Sequence, residues 1–314
     1  MSDTALQDIY RCCDCEADLA ALDRCDDCGR VFVTEDGCPS AFPKVEKHRL
    51  FSVAPGQTNP GTIPVDQVYR YPARSGQRGT ALYHLDIAHQ DLLETMPSDS
   101  LVLEIGCGGG QMREWARGRG LRYLGTDVAR TRVHDWLQKY GGADLYCDAH
   151  DLPFRDGSVD VIYAAAVWEH LAFPQLAAQE VARVLKPGGH FLGSSSFLEP
   201  WHDESYYHNT PNGVYMTLTL SDLEPSYIWP ETDWPGFRAI LRMGNKATNA
   251  LAFLGGVMNA IYLAPKKLQH WLRTRAWPDQ AALFQPRAEV AGAIAWIARK
   301  PLANEKDMGE AAHA

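Results

Sequence analysis

Leu101-Val-Leu-Glu-Ile-Gly-Cys-Gly-Gly-Gly-Gln111 is the stretch whose reading decides the fold. A short apolar run reads as a buried strand, a glycine-rich turn follows at once, and a helix opens near Gln111. Glycine in such a turn tolerates positive φ and leaves no Cβ in the way, so a nucleoside can lie against the backbone. The residues alone leave three readings open: a nicotinamide or flavin dinucleotide, S-adenosylmethionine (SAM), or a turn with no ligand. A G-x-G-x-x-G fingerprint starting at Gly106 would need glycine at 111, where the chain has Gln111.

Outward from this turn, strand and helix signals alternate. Strands are expected at Leu101 to Ile105, Tyr123 to Thr126, Leu145 to Cys147, Val159 to Ala164 and His190 to Ser194. Intervening helices start near Gln111, Ala129 and Phe173, the last stopping at Lys186-Pro-Gly-Gly, and a further helix covers Leu82 to Leu93 ahead of the first strand. After a helix at Asn212 to Leu223, Tyr227-Ile-Trp reads as a sixth strand and Ala291 to Ala298 as a seventh. This alternation predicts a parallel sheet covered by helices.

Further blocks join the glycine turn. Asp127 closes the second strand seventeen residues beyond Gly110, about where an acid reaches a bound ribose in nucleotide-binding βαβ units. Asp148 and Ala149 end the third strand, followed by Ser158-Val-Asp-Val-Ile-Tyr, Trp168-Glu-His-Leu and Val184-Leu-Lys-Pro-Gly-Gly. With Glu104, Gly106, Gly108 and Gly110 read as E-x-G-x-G-x-G, this ordered set resembles the class I SAM-dependent methyltransferases over residues 82 to 200. The resemblance implies a Rossmann-like seven-stranded sheet, SAM as cofactor, and cofactor contacts from Glu104, Gly106, Gly108, Gly110, Asp127, Val128, Asp148 and Ala149. It implies that Asp148 accepts from the adenine amino group.

Methyl transfer from a sulfonium asks the protein mainly to align a nucleophile, and a hydroxyl nucleophile gains from a base in hydrogen-bond reach. Histidine has the intrinsic pKa for that role. His170 follows the fourth strand, and Glu199-Pro-Trp-His-Asp-Glu-Ser-Tyr-Tyr-His follows the fifth, offering His202 and His208. His202 is the expected base, with His170 next and His208 third; Trp201, Tyr206 and Tyr207 could wall in a ring-shaped or sugar-like acceptor.

The chain has eight cysteines, six of them between Cys12 and Cys38. Met1 to Tyr10 has neither a basic start nor an apolar core, so a cytoplasmic protein is expected, and in a reducing compartment Cys-x2-Cys pairs are metal ligands more often than disulfides. Cys12 with Cys15 and Cys25 with Cys28 form two knuckles that complete a closed tetrahedral Zn²⁺ site of structural kind. The segment resembles the zinc-ribbon-like domains fused to bacterial methyltransferases or serving as their activators. Cys13 and Cys38 are left over.

The expected organisation is a zinc ribbon over 1–42, a linker over 43–80, a methyltransferase domain over 81–303 and a flexible tail over 304–314. A basic helical insertion over 234–280 separates the last two strands. A net charge of -9 over 314 residues argues against bulk attraction to nucleic acid, so none is expected as a partner. Charge is segregated: the first forty residues carry ten acids and three arginines, whereas the insertion has seven cations and no acid between Asp233 and Asp279. Nineteen uncharged residues separate Lys246 from Lys266, but Thr248, Asn249, Gly255, Gly256 and Asn259 make poor hydrocarbon, so no transmembrane helix is expected. A cap on the domain, a dimer contact or a peripheral membrane contact remain for 234–280. The expected reaction is methylation of a small-molecule or sugar hydroxyl in a bacterial biosynthetic pathway. An RNA base methyltransferase and a non-catalytic SAM- or partner-binding protein are the alternatives.

Overall fold

In the computed structural model, residues 6, 8–53, 63–77, 80, 82, 85–130, 133 and 138–302 are described. The tail 304–314, part of the linker and most of the helix expected from Ala129 lie outside them.

The N-terminal segment has too few apolar residues for its own core, and it folds as turns and short strands. The strands are β1 (Tyr10–Arg11), β2 (Asp18–Leu19), β3 (Val33–Glu35) and β4 (Cys38–Ser40). After a single helical turn α1 (Val65–Val68), α2 (Ile87–Thr95) starts at Asp86, whose carboxylate caps it by accepting from Ala88 N. The domain proper begins with β5 (Leu101–Ile105), buried at all five positions as a strand covered on both faces must be.

The chain continues through α3 (Met112–Arg117), β6 (Arg122–Asp127), β7 (Leu145–Tyr146), β8 (Val159–Ala165), α4 (Pro174–Val184), β9 (Leu185–Ser196), α5 (Pro211–Thr219) and β10 (Glu224–Pro230). Helices α6 (Gly236–Arg242), α7 (Lys246–Ala250), α8 (Ala252–Thr274) and α9 (Phe284–Ala288) then precede β11 (Ala293–Arg299). The insertion between the last two strands is therefore helical. Helix α4 stops at Val184 rather than at Lys186-Pro, because Leu185 already pairs with Val159 as the first residue of β9.

The sheet has nine strands in the order β10-β11-β9-β8-β5-β6-β7-β4-β3. The seven expected strands are all present, parallel except for β11, which runs antiparallel to both neighbours. Two further strands come from the cysteine-rich segment: β4 pairs with β3 and is added parallel to β7 through Ser40 and Tyr146. Leu6, Ile9, Leu19 and Phe32 of that segment share one apolar cluster with Phe154, Ala177 and Val181, so it is continuous with the helical layer on that face. The other face packs α2 and α3 through Leu93, Met112 and Trp115 against Tyr123, Val161 and Trp229. Residues 63–77 lie along the β10 end, where Gln77 donates from its main chain to Asp233 and from its side chain to Glu231.

No described helix is long and apolar enough to cross a membrane. Gly193 of β9 sits beneath Trp296, and a Cβ there would overlap the indole and come within 2.5 Å of the Ala164 carbonyl. Gly193→Ala is therefore expected to lose about 1–3 kcal/mol of stability by overpacking, measured by urea unfolding.

Candidate functional site

The turn after β5 takes left-handed φ at Gly106 (67°), Gly108 (54°) and Gly110 (75°), a region costly for residues with a Cβ. A Cβ at Gly106 would run into Val167, and one at Gly110 would come within 2.7 Å of the Gly142 carbonyl. The turn is held from the next strand. Asp127 accepts from Gly108 N at 2.9 Å and from Val128 N at 2.7 Å, and Cys107 N donates to Thr126 O. Glu104 lies below, 7% exposed, and accepts from the Tyr123 hydroxyl. Burial pushes its pKa up to about 8, against the opposing pull of that hydrogen bond.

At the neighbouring strand end, Asp148 accepts from both the main chain and Nδ1 of His150, at 2.9 and 2.6 Å, while His150 Nε2 accepts from Phe173 N. Burial acts to raise the Asp148 pKa, but the hydrogen bonds from His150 outweigh it and hold the carboxylate below its ordinary range. Ala149 is buried beside it. A cleft of about 340 Å³ lies between residues 43–49 and Asp148, His150 and Asp151. Gly106, Gly108, Asp127 and Val128 thus converge on one strand edge, with Asp148 and Ala149 on the adjacent loop. Glu104 and Gly110 support the turn from inside.

The loops after β8 and β9 carry the other candidates, His170 on the first and His202 and His208 on the second. His170 and His202 stand with ring centroids 5.4 Å apart, and His202 and His208 at 6.2 Å. His202 Nδ1 lies 2.8 Å from Pro200 O, which makes Nδ1 the donor and leaves Nε2 as the acceptor nitrogen. His208 Nδ1 is similarly bound to Phe197 O at 3.1 Å. Burial lowers the His170 pKa, Glu169 working in the opposite sense. Fully buried Glu169 accepts from Ser195 and Ser196 at 3.1 and 2.7 Å, and its main-chain oxygen receives Tyr206 N, which ties the 199–209 loop over it. One ligand atom each from Glu169, His170 and His202 lie within 4.8 Å of one another. Trp201, Tyr206 and Tyr207 are exposed.

Residues 103–193 match the family described as a methyltransferase domain. That segment carries a methyltransferase domain. It is 34% identical over 122 residues to the mouse (Mus musculus) tRNA (carboxymethyluridine(34)-5-O)-methyltransferase ALKBH8, covering 38% of this chain and 17% of that protein. It is 35% identical over 101 residues to a methyltransferase of Mycobacterium sp. strain KMS, covering 32% of this chain and 40% of that one. The chain thus spans less than half the length of these relatives. Among solved structures, it resembles Haemonchus contortus phosphoethanolamine N-methyltransferase 2 in complex with SAM, at 17% identity and a TM-score of 0.43, over 68% of this chain and 51% of that one.

The glycine turn of the methyltransferase domain fits SAM: three glycines at left-handed φ give it a tight path closed against Val167 and Gly142, and Asp127 stands at its rim. The four cysteines fit a metal equally well. Cys12 Sγ lies 3.7 Å from Cys28 Sγ and Cys15 Sγ 3.5 Å from Cys25 Sγ, all four within 4.8 Å of one another. A tetrahedron with Zn–S bonds of about 2.3 Å has edges of about 3.8 Å. The two knuckles repeat one design, with Glu16 and Gly29 both at positive φ and both main-chain nitrogens donating to the first cysteine of the pair. Cys13 and Cys38 are buried outside the cluster.

The residues that orient the site are less visible in sequence. Ser195, Ser196 and Asn209 position Glu169 or one another, and His150 fixes Asp148. Three consecutive serines ending an otherwise apolar strand are the signal that could have found the first two.

Glu104 makes the methyltransferase domain pH-sensitive. Its pKa rises on folding from 4.5 to about 8, so its contribution to stability is complete below the lower value and is lost as pH climbs through the higher. Thermal unfolding between pH 5 and about 8.5 should show Tm falling with pH, and Glu104→Gln should flatten that slope.

Proposed function

We propose that the protein transfers a methyl group from SAM to a hydroxyl of a small-molecule or sugar acceptor. The observation that carries this reading is His202, with Nδ1 committed to Pro200 O and Nε2 left as an acceptor, at the carboxyl ends of the parallel strands, as is the glycine turn. SAM supplies the sulfonium methyl and its own leaving group. The chain supplies the rest. Asp127, Gly106, Gly108 and Val128 bind the ribose side and Asp148 with Ala149 the adenine, while Glu104 and Gly110 keep the turn in shape. The acceptor's hydroxyl proton passes to His202 Nε2 as oxygen takes the methyl group. His170 borders that ring, and His208 and Glu169 hold the loop on which it sits. Cys12, Cys15, Cys25 and Cys28 hold one Zn²⁺, which ties the knuckles together and takes no part in the chemistry.

The mouse relative, named for a tRNA substrate, favours a second reading in which the acceptor oxygen belongs to RNA. The expectation against nucleic acid has no support among these relatives.

Calorimetry with SAM, followed by product mass spectrometry on hydroxylated metabolites and on RNA, tests both readings. Asp127→Ala should weaken SAM binding by about tenfold or more, since a hydrogen bond to a charged group contributes roughly 1.5–3 kcal/mol. His202→Ala should leave SAM binding unchanged and lower kcat by about 10²–10⁴, the usual contribution of a positioned base. Unchanged turnover in His202→Ala at every pH would remove His202 from the mechanism. Methylated RNA with no methylated metabolite would replace the acceptor class.

A further inference from the structure

Helix α8 is mounted with its apolar stripe facing outward. Ala252, Gly255 and Leu263 are buried and, with the half-buried Asn259 and Tyr262, recur at the three- and four-residue spacing of one helix face. That face lies on α6: a Cβ at Gly255 would come within 2.6 Å of Arg238 N, so the two helices meet backbone to backbone. On the opposite face stand Phe253, Val257, Ile261, Leu268 and Leu272, all exposed, Phe253 at 69% and Ile261 at 67%. Leu254 and Met258 widen the stripe. At 1.5 Å per residue the 23-residue helix is about 34 Å long. A surface helix of a globular domain buries its apolar side, whereas this one buries Ala252, Gly255 and Leu263 and leaves most of its large aliphatic side chains outside.

The charge around the stripe has one sign. Lys267 flanks the stripe on one side and Arg273 lies toward the other, Lys266 sits on the side of Gly255 and Asn259, and Arg242, Lys246 and Arg275 extend the same basic element. Among the described contacts of these cations, the nearest carboxylate is Glu289, 4.0 Å from Lys266. Trp277, just beyond the helix, is 72% exposed.

We propose that α8 docks the protein on an anionic lipid surface, lying in the plane of the bilayer with Phe253, Val257, Ile261, Leu268 and Leu272 among the acyl chains. Long aliphatic residues on one face with lysine and arginine at its margins match an interfacial helix, the cations reaching back to the headgroups. The helix lies on the membrane and does not span it, because it carries Gly255, Gly256, Asn259 and Pro265 along its length. A second copy is the poorer occupant. A two-fold contact pairs the same patch with itself and would bring together two surfaces of the same positive charge. RNA is poorer too, since an aliphatic stripe offers phosphate and bases nothing. Docking is independent of the proposed reaction and can be tested without SAM or acceptor.

The full chain is mixed with phosphatidylcholine vesicles, with and without phosphatidylglycerol, and sedimented. Binding is expected only when phosphatidylglycerol is present, and it should weaken as salt rises. Phe253→Glu and Ile261→Glu should each reduce binding by about tenfold or more, because each removes a large side chain from hydrocarbon. Lys266→Ser with Lys267→Ser should reduce the dependence on phosphatidylglycerol, and circular dichroism would show every variant folded. Failure of the wild type to bind anionic vesicles would overturn the proposal, as would full binding by Ile261→Glu. A dimer in sedimentation velocity that Ile261→Glu dissolves, with no vesicle binding, would assign the face to a second copy instead.

Discussion

Two main-chain N–H groups, of Gly108 and Val128, converge on the carboxylate of Asp127, and the organisation of the cofactor edge follows from that contact. It links the end of β6 to the turn after β5, so two parallel strands finish in a fixed relation. The turn can adopt the required path only because Gly106, Gly108 and Gly110 accept left-handed φ. From the far side the turn is braced by Arg113, which bonds Gly142 O and pairs with Asp144. The edge is thereby set in place by the chain itself, which is the arrangement a site needs if binding is not to cost further ordering.

The cysteine-rich segment extends the same logic to the Asp148 loop. Arg11 N donates to Pro153 O and Arg155 N to Ile9 O, while Arg155 reaches Tyr10 O and Leu19 O with its side chain. Beside these bonds, Arg11, Lys47 and Arg49 surround Asp151, and Arg183 pairs with Glu180. Asp151 lies three residues beyond Asp148 on the same loop. The ribbon and the segment that follows it therefore grip the loop that presents the Asp148 carboxylate. A metal that orders the knuckles would order this grip as well.

The sheet and the glycine turn with acids at the adjoining strand ends were legible because their signals are local: an apolar run, glycines where φ is positive, and Asp127 and Asp148 at strand ends. The hairpin of Val33–Glu35 and Cys38–Ser40 escaped because three-residue strands carrying Pro39 have no usable period, and their pairing with Tyr146 is a long-range fact. The histidines are visible in the sequence, but not that Glu169 would be held by Ser195 and Ser196 and tie the 199–209 loop through its main-chain oxygen. For 252–274 the apolar spacing was visible, whereas which face the protein covers was not. Periodicity identifies two faces of a helix and leaves open which one meets the core. Gly255 decided it, since only the side without a bulky residue could approach Arg238 so closely.

The claim at the centre of this account is that the glycine turn, Asp127 and Asp148 form one nucleoside site. The most direct measurement is a crystal structure of the full chain with S-adenosylhomocysteine. The account predicts ribose hydroxyls on the Asp127 carboxylate, the adenine amino group against Asp148, and the sulfur directed toward His170 and His202. A nucleoside bound away from the Gly106 to Gly110 turn, or one that leaves Asp127 without a ribose contact, would contradict it.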